Sequence, residues 1–516
     1  MISFTLSLIA LILGYIFYGK FVETVFGPNE KRKTPGIRKF DGVDYLVLPS
    51  WKVFMIQFLN IAGTGPIFGA IMGMWFGVSS YLWIVLGCIF AGATHDYLSG
   101  MISMRKGGIS LPDMVGQYLG PNFRKLMLLF ATILLALVGA VFVLSPAKLL
   151  TGMMPAGSGF DNILIWIAVI FIYYIIATMM PVDKIIGKIY PLFAFSLIFM
   201  ALALMIALFI KWPTLPELWD GLDNLGEARL GMTSSEPIVP ALFITIACGA
   251  ISGFHATQSP LMARCINSEH LGRPVFYGAM ITEGIVALIW ATVSSWFFYD
   301  QGWREICPDA FLAQNEKTVT QFFDAPRVVM EVCKGWLGIA GGILAVLGVV
   351  AAPITSGDTA LRSARLIIAD ALHIDQRPIA KRLMVCAPLF IACIALLVWQ
   401  MDNPDSFKTI WNYFGWANQT LAVFTLWTIT VYLALKKKLF IITLLPAMFM
   451  TFVCTTFILI SNIALSLSPT TSYTIGIAVT LTVTVRFFLW HNKKFTLDYA
   501  YGKEGKASDK KEANKA

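Results

Sequence analysis

Charge is what this chain of 516 residues has least of: Asp, Glu, Lys and Arg together make up 13% of it. Soluble domains carry about 25%, so a water-exposed globule of this size is excluded. Histidine is scarce as well, with five in the chain, and any histidine inside an apolar run becomes a candidate functional group. The eight cysteines form no CxxC pair and no zinc spacing. Six lie in or beside apolar runs and read as packing residues, while Cys307 and Cys333 flank one polar loop and can pair if that loop is external. No GxxxxGK[ST] loop points to ATP drive, and neither HExxH nor GxSxG points to an intramembrane enzyme. No cofactor motif is present either. The formal net charge of +9 is spread over short loops, which fits a membrane topology rather than nucleic-acid binding.

What the chain has is apolar surface: 57% of it is hydrophobic. With roughly 20 residues needed per crossing, the runs predict about 13 transmembrane helices. They cover 2–19, 53–76, 80–104, 126–148, 162–180, 188–211, 238–262, 275–299, 335–357, 383–400, 410–434, 440–462 and 471–490. Ile2 to Tyr18 has no basic residue ahead of it and no small-residue cleavage site after it, so it reads as a retained span. Alternate loops collect the basic residues: Lys31 to Lys39, Arg105 and Lys106, Arg264 and Arg273, Arg362 to Arg382, and Lys436 to Lys438. The positive-inside rule then puts the N-terminus outside and the C-terminus in the cytoplasm.

Two spans are interrupted. Gly63-Thr64-Gly65-Pro66 breaks the second, and Gly249 to His255, followed by Ser259-Pro260, breaks the seventh. In a helix interior each Gly costs about 1 kcal/mol against Ala and the Pro about 3. In a bilayer such breaks persist only where protein or a water-filled cavity surrounds them, and paired breaks mark transporter binding sites. Each broken span opens a block of five, so the blocks run in opposite senses. This is an all-α polytopic membrane protein read as a five-plus-five inverted repeat, 53–211 and 238–434, joined by an external loop 212–237. The extra N-terminal helix and its basic loop occupy 1–52, a second long external loop 300–334, two extra C-terminal helices 435–490, and a cytoplasmic lysine-rich tail 491–516, disordered from Tyr501 to Ala516.

Several blocks carry a resemblance: Ile61 to Pro66, Ala91-Gly92-Ala93 with Asp96, Ser252-Gly253-Phe254-His255, and Tyr277 to Met280 with Glu283. Thr355-Ser356-Gly357-Asp358-Thr359 with Arg365 and Phe414 to Gln419 complete the set. In this order and spacing, from Val53 to Tyr432, the chain resembles the carbon starvation protein A (CstA) family of bacterial inner-membrane transporters. Thr64 stands where the family usually has Ala, and His95 where it usually has Gln. The resemblance implies a branch of the amino acid–polyamine–organocation superfamily with a LeuT-like fold, and uptake of small peptides or pyruvate during carbon starvation. Coupling would be to a proton or sodium gradient, by alternating access in the lipid bilayer. A channel or facilitator is the nearest alternative, and an intramembrane enzyme a more distant one.

The expected roles follow. Gly63, Thr64, Gly65 and Pro66, with Ser252, Gly253 and Phe254, free backbone groups that can meet a substrate carboxylate or a cation; a close-packed small-residue face is the alternative. His255 can take and give a proton at physiological pH, or be a core histidine. His95 and Asp96 can be a gate ion pair or a proton exit, or anchor a helix end. Glu283, deep in an apolar span, is either protonated or paired with a cation and is the preferred proton carrier. The resemblance makes the hydroxyls of Thr355 and Ser356 a possible sodium site, with Lys188 as the basic side chain that replaces sodium in proton-coupled relatives. Asp358 either couples ions or pairs with Arg362 or Arg365. Asn418 and Gln419 either line the substrate path or bond between helices.

Overall fold

The computed structural model describes residues 1–155, 157–180, 186–222, 237–306, 319–402, 406–462 and 464–513. Among these there is no strand; the chain is helical throughout. The helices used below are α1 (Ile2–Phe26), α2 (Ser50–Ala62), α3 (Gly65–Phe76), α4 (Ser79–Arg105), α5 (Pro121–Met153), α6 (Ile163–Met179) and α7 (Ile186–Lys211). After these come α8 (Ile238–Thr245), α9 (Gly253–Ala263), α10 (Glu269–Phe298), α11 (Ala325–Leu372), α12 (Ile379–Asp402), α13 (Ser406–Leu435), α14 (Ile441–Ile460) and α15 (Pro469–Ala513).

Ten described helices are long and apolar enough to cross a membrane, and eleven if α2 and α3, bent by 53° at Gly63-Thr64, count as one span. The expectation of about 13 exceeds this at two places. α6 has 17 residues and falls short on length. The expected span 238–262 is two short helices, α8 of 8 residues and α9 of 11, separated by a turn. The expected loop 300–334 gives up its last ten positions to α11, which starts at Ala325 because Asp324 accepts from the Arg327 N–H at 3.1 Å. α11 then kinks at Gly338, φ +66°. Where a disordered tail was expected, α15 continues to Ala513; this stretch is rich in Lys, Glu and Ala, all good helix formers. Cys307 lies outside the described residues, and with it the expected pairing with Cys333.

The basic loops converge on one face. Lys39 donates to the Gly107 carbonyl at 3.0 Å, Arg264 to the Gly108 carbonyl at 2.9 Å, and Lys438 to the Phe26 carbonyl at 2.7 Å. Arg105 pairs with Glu269 at 3.0 Å while its guanidinium lies 3.8 Å from the centre of the Phe26 ring. At the opposite end of α1 the N-terminal amine pairs with Glu217. The loops grouped by charge therefore share a side, as the alternation requires.

The interrupted helix is the centre of the bundle. α2 packs against α7, α9, α10 and α11, and α9 against α4 and α13.

Candidate functional site

At the first break Gly63 has φ +39° and ψ −148°, a conformation that favours glycine. A Cβ there would lie 2.9 Å from the Phe142 ring, so backbone and packing both require glycine. The Gly63 N–H donates to Ser356 Oγ at 3.2 Å, and that hydroxyl donates to the Leu59 carbonyl at 2.9 Å. One side chain of α11 thus satisfies a donor and an acceptor freed by the break. Pro66, in the first turn of α3, stands where its missing N–H costs nothing.

The second break is capped from outside as well. Trp83 Nε1 donates to the Ile246 carbonyl at 2.8 Å and Gln419 Nε2 to the Phe243 carbonyl at 2.9 Å, satisfying the end of α8. Asn418 Oδ1 accepts from the Phe254 N–H at 2.7 Å and from the Ser252 hydroxyl at 3.0 Å. Of the two expected roles for Asn418 and Gln419, the structure shows helix-to-helix bonding. The Phe254 N–H, expected to be free for a carboxylate, is already occupied. Gly253 is held against the α13 backbone, where a Cβ would meet Ala422 N at 2.3 Å.

The two breaks touch: a Cβ on Gly65 would lie 2.4 Å from Cys248 Sγ. On the first broken span Gln57, Asn60 and Thr64 are fully buried, and their side-chain polar atoms have no partner among the described residues. Leaving such groups dry and unpaired is costly.

One turn further, four expected residues assemble. Asp96 accepts from His255 Nδ1 at 2.8 Å on one oxygen and from His95 Nδ1 at 2.8 Å on the other. His255 Nε2 stands 3.5 Å from Glu283 Oε2, too far for a good hydrogen bond. All four are wholly buried, so His95 and Asp96 are not interfacial anchors. Gly92 makes the assembly possible. A Cβ there would lie 2.1 Å from the Ala250 carbonyl, so only glycine lets the second break settle onto α4 and bring His255 to Asp96.

Asp358 does not pair with Arg362 or Arg365. It accepts from Tyr190 Oη at 2.6 Å, and its Oδ1 has no partner among the described residues. The two arginines turn instead to Asp44, at 3.4 and 3.2 Å. Thr355 Oγ1 bonds its own helix at Ala351 and Ala352, both at 2.9 Å, so the expected sodium hydroxyls already have protein partners. Lys188 lies in the first turn of α7, its side chain outside the described ones. A cavity of about 480 Å³ opens at the basic-loop face, among Tyr45, Gly108, Arg264, Asp370 and His373. It sits at the opposite end of α9 from the break, where Gly63 to Pro66 and Cys248 to His255 are buried.

Three participants were not foreseen. Cys248 was read as packing, although its position four residues before Ser252 in the second break was a signal. Asp44 is one of three acidic residues, with Glu30 and Asp41, in a mostly basic loop, its arginine partners more than 300 positions away. Tyr190 carries no sequence signal at all.

The family described as carbon starvation protein CstA matches residues 1–160, 158–334 and 327–458. The chain belongs to the CstA family. This CstA-family chain is 43% identical over 339 residues to an uncharacterized membrane protein of Haemophilus influenzae, covering 58% of the chain and 91% of that protein. It is 24% identical over 542 residues to the peptide transporter CstA of Escherichia coli, covering 83% and 76%. To the peptide transporter CstA of Bacillus subtilis it is 25% identical over 532 residues, covering 85% and 87%. A Na+-coupled sialic acid symporter, solved substrate-bound and outward-open, aligns with a TM-score of 0.51 at 14% identity over 93% of this chain and 95% of that one. That likeness concerns the fold alone.

Proposed function

We propose that this CstA-family chain is a secondary active transporter that imports small peptides, or another small carboxylate such as pyruvate, across the bacterial inner membrane. The observation that carries this reading is the contact between two helix breaks deep in the protein, with buried Gln57, Asn60 and Thr64 on the first broken span unpartnered among the described residues. Transporters place solute sites at paired interrupted helices near the membrane midplane. On this reading 53–211 and 238–434 are the two halves of a LeuT-like inverted repeat, and rocking of one against the other opens the breaks to each side in turn. The N-terminus is outside and the basic-loop face is cytoplasmic.

A proton or sodium gradient drives the cycle. Asp358 is the coupling carboxylate, since it is buried, accepts from Tyr190 and has no hydrogen-bond partner at Oδ1 among the described residues. Sodium coupling would require Thr355 and Ser356 to exchange their present partners for the ion.

Purified protein in liposomes, given a labelled dipeptide and labelled pyruvate in parallel, tests this. Proton and sodium gradients are imposed separately. Accumulation above equilibrium under one gradient, lost when it is collapsed, is the expected result. Equilibration without accumulation would make the protein a facilitator, and no movement of either solute would remove the substrate proposal. Asp358→Asn should lose driven accumulation while retaining solute exchange.

A further inference from the structure

We propose that Cys248, His255 and Glu283 bind one borderline-soft divalent transition-metal ion, of the zinc class, with Asp96 positioning the histidine. The three side chains come from three segments: the turn of the second break, α9 and α10. One ligand atom from each lies within 4.8 Å of the others, and all three residues are buried. The site combines a sulfur, a nitrogen and an oxygen donor, which suits zinc and its neighbours. Magnesium and calcium prefer oxygen ligands alone.

The surroundings are those of a metal site. His255 Nδ1 is held by Asp96 Oδ2 at 2.8 Å, which leaves Nε2 to present its lone pair towards Glu283. Such a carboxylate behind a histidine is the usual way a metal ligand is oriented. Asp96 is steadied in turn by His95 at 2.8 Å. Nε2 of His255 and both oxygens of Glu283 have no hydrogen-bond partner among the described residues. Cys248 Sγ has only long contacts, to Ser252 Oγ at 3.8 Å and Asn418 Nδ2 at 3.9 Å. A proton carried by Glu283 would give one of its oxygens something to do and leave the other atoms as they are. A single cation engages all three ligands at once. The thiol releases its proton to solvent as the metal binds, because the thiolate is the ligand. Three protein ligands leave a fourth tetrahedral position open.

Because the site is buried, the test loads it during synthesis. Full-length protein is expressed in medium supplemented with Zn2+ or Co2+ and purified, and its metal is counted by mass spectrometry. The cobalt form is examined for the near-ultraviolet sulfur-to-cobalt charge-transfer band that only a thiolate ligand produces. About one ion per chain is expected, with the band present. Cys248→Ser should remove the band, and Cys454→Ser, at a buried cysteine on α14, should keep it. Asp96→Asn leaves all three ligands in place and should weaken zinc binding about 10- to 100-fold against a competing chelator, with the band retained. It answers the question even where Cys248→Ser fails to purify as a single species. Wild-type protein with no metal above background, or a band unchanged in Cys248→Ser, overturns the proposal. The readouts are metal content and spectrum rather than uptake, so their failure leaves the transport reading standing.

Discussion

Asp44→Asn removes the carboxylate that pairs with two wholly buried guanidiniums. Asp44 is 4% exposed, and its oxygens lie 3.2 and 3.3 Å from Arg365 Nη2 and 3.4 Å from Arg362 Nη1. Deleting one partner of a buried ion pair costs about 3–5 kcal/mol, because the remaining charge stays buried. The lower end applies here, since Arg362 keeps the Ala177 and Met180 carbonyls and Arg365 keeps Gln376. The native Cys265 reports the consequence. It is buried beneath the 41–49 segment, its carbonyl accepting from Leu48 N at 3.0 Å and its thiol facing the Asp44 carbonyl at 3.9 Å. If the loss falls on local opening of this segment, 3 kcal/mol raises the open population about a hundredfold. Maleimide labelling of Cys265, located by peptide mass spectrometry, should accelerate accordingly, and thermal unfolding in detergent should move down. Labelling within twofold of wild type together with an unmoved midpoint would refute the latch. The pH dependence has a definite sign. Burial alone pushes the Asp44 carboxyl up, but Arg365, Arg362 and Arg264 outweigh it and hold it below its ordinary value. Its stabilisation is therefore fully present above the unfolded value of about 3.9 and is lost only as pH falls through the lower folded value. Labelling of wild type, divided by the rate of a free thiol at the same pH because only the thiolate reacts, should be flat from neutral pH to about 5 and rise in stronger acid, a rise that Asp44→Asn abolishes.

Three more substitutions test the breaks. Gly63→Ala should cost about 1–2 kcal/mol in backbone strain, plus the clash with Phe142; adding Phe142→Leu should recover the clash and not the strain, as read by unfolding midpoints. Asn418→Ala leaves the Phe254 N–H buried without its acceptor and should destabilise by about 1–3 kcal/mol; an unchanged midpoint would mean that another acceptor replaces it. Gly92→Ala sets a Cβ against the Ala250 carbonyl, where backbone cannot yield as a side chain would. A loss of about 1–3 kcal/mol is expected, together with faster labelling of Cys248 in the displaced turn.

The sequence by itself determined the class, the placement of the breaks and the grouping of the basic loops on one face. These depend on local quantities: the length of an apolar run, the conformational cost of Gly and Pro, and the sign of charge between spans. It also marked His255, Asp96 and Glu283, because an ionisable group in an apolar run is conspicuous wherever it ends up. What each meets depends on distance in space. Only the tertiary structure decided that Asp96 orients His255, that Asn418 caps α9, and that Arg362 and Arg365 choose Asp44 over the nearer Asp358. The same holds for Cys248, which looks like any small buried residue until the turn at Gly249 sets it beside His255 and Glu283. The span count exceeded the ten or eleven described spans for a physical reason as well. Hydropathy records how apolar a stretch is, whereas the helix within it ends where the backbone turns, at Ile246 and again at Ser252.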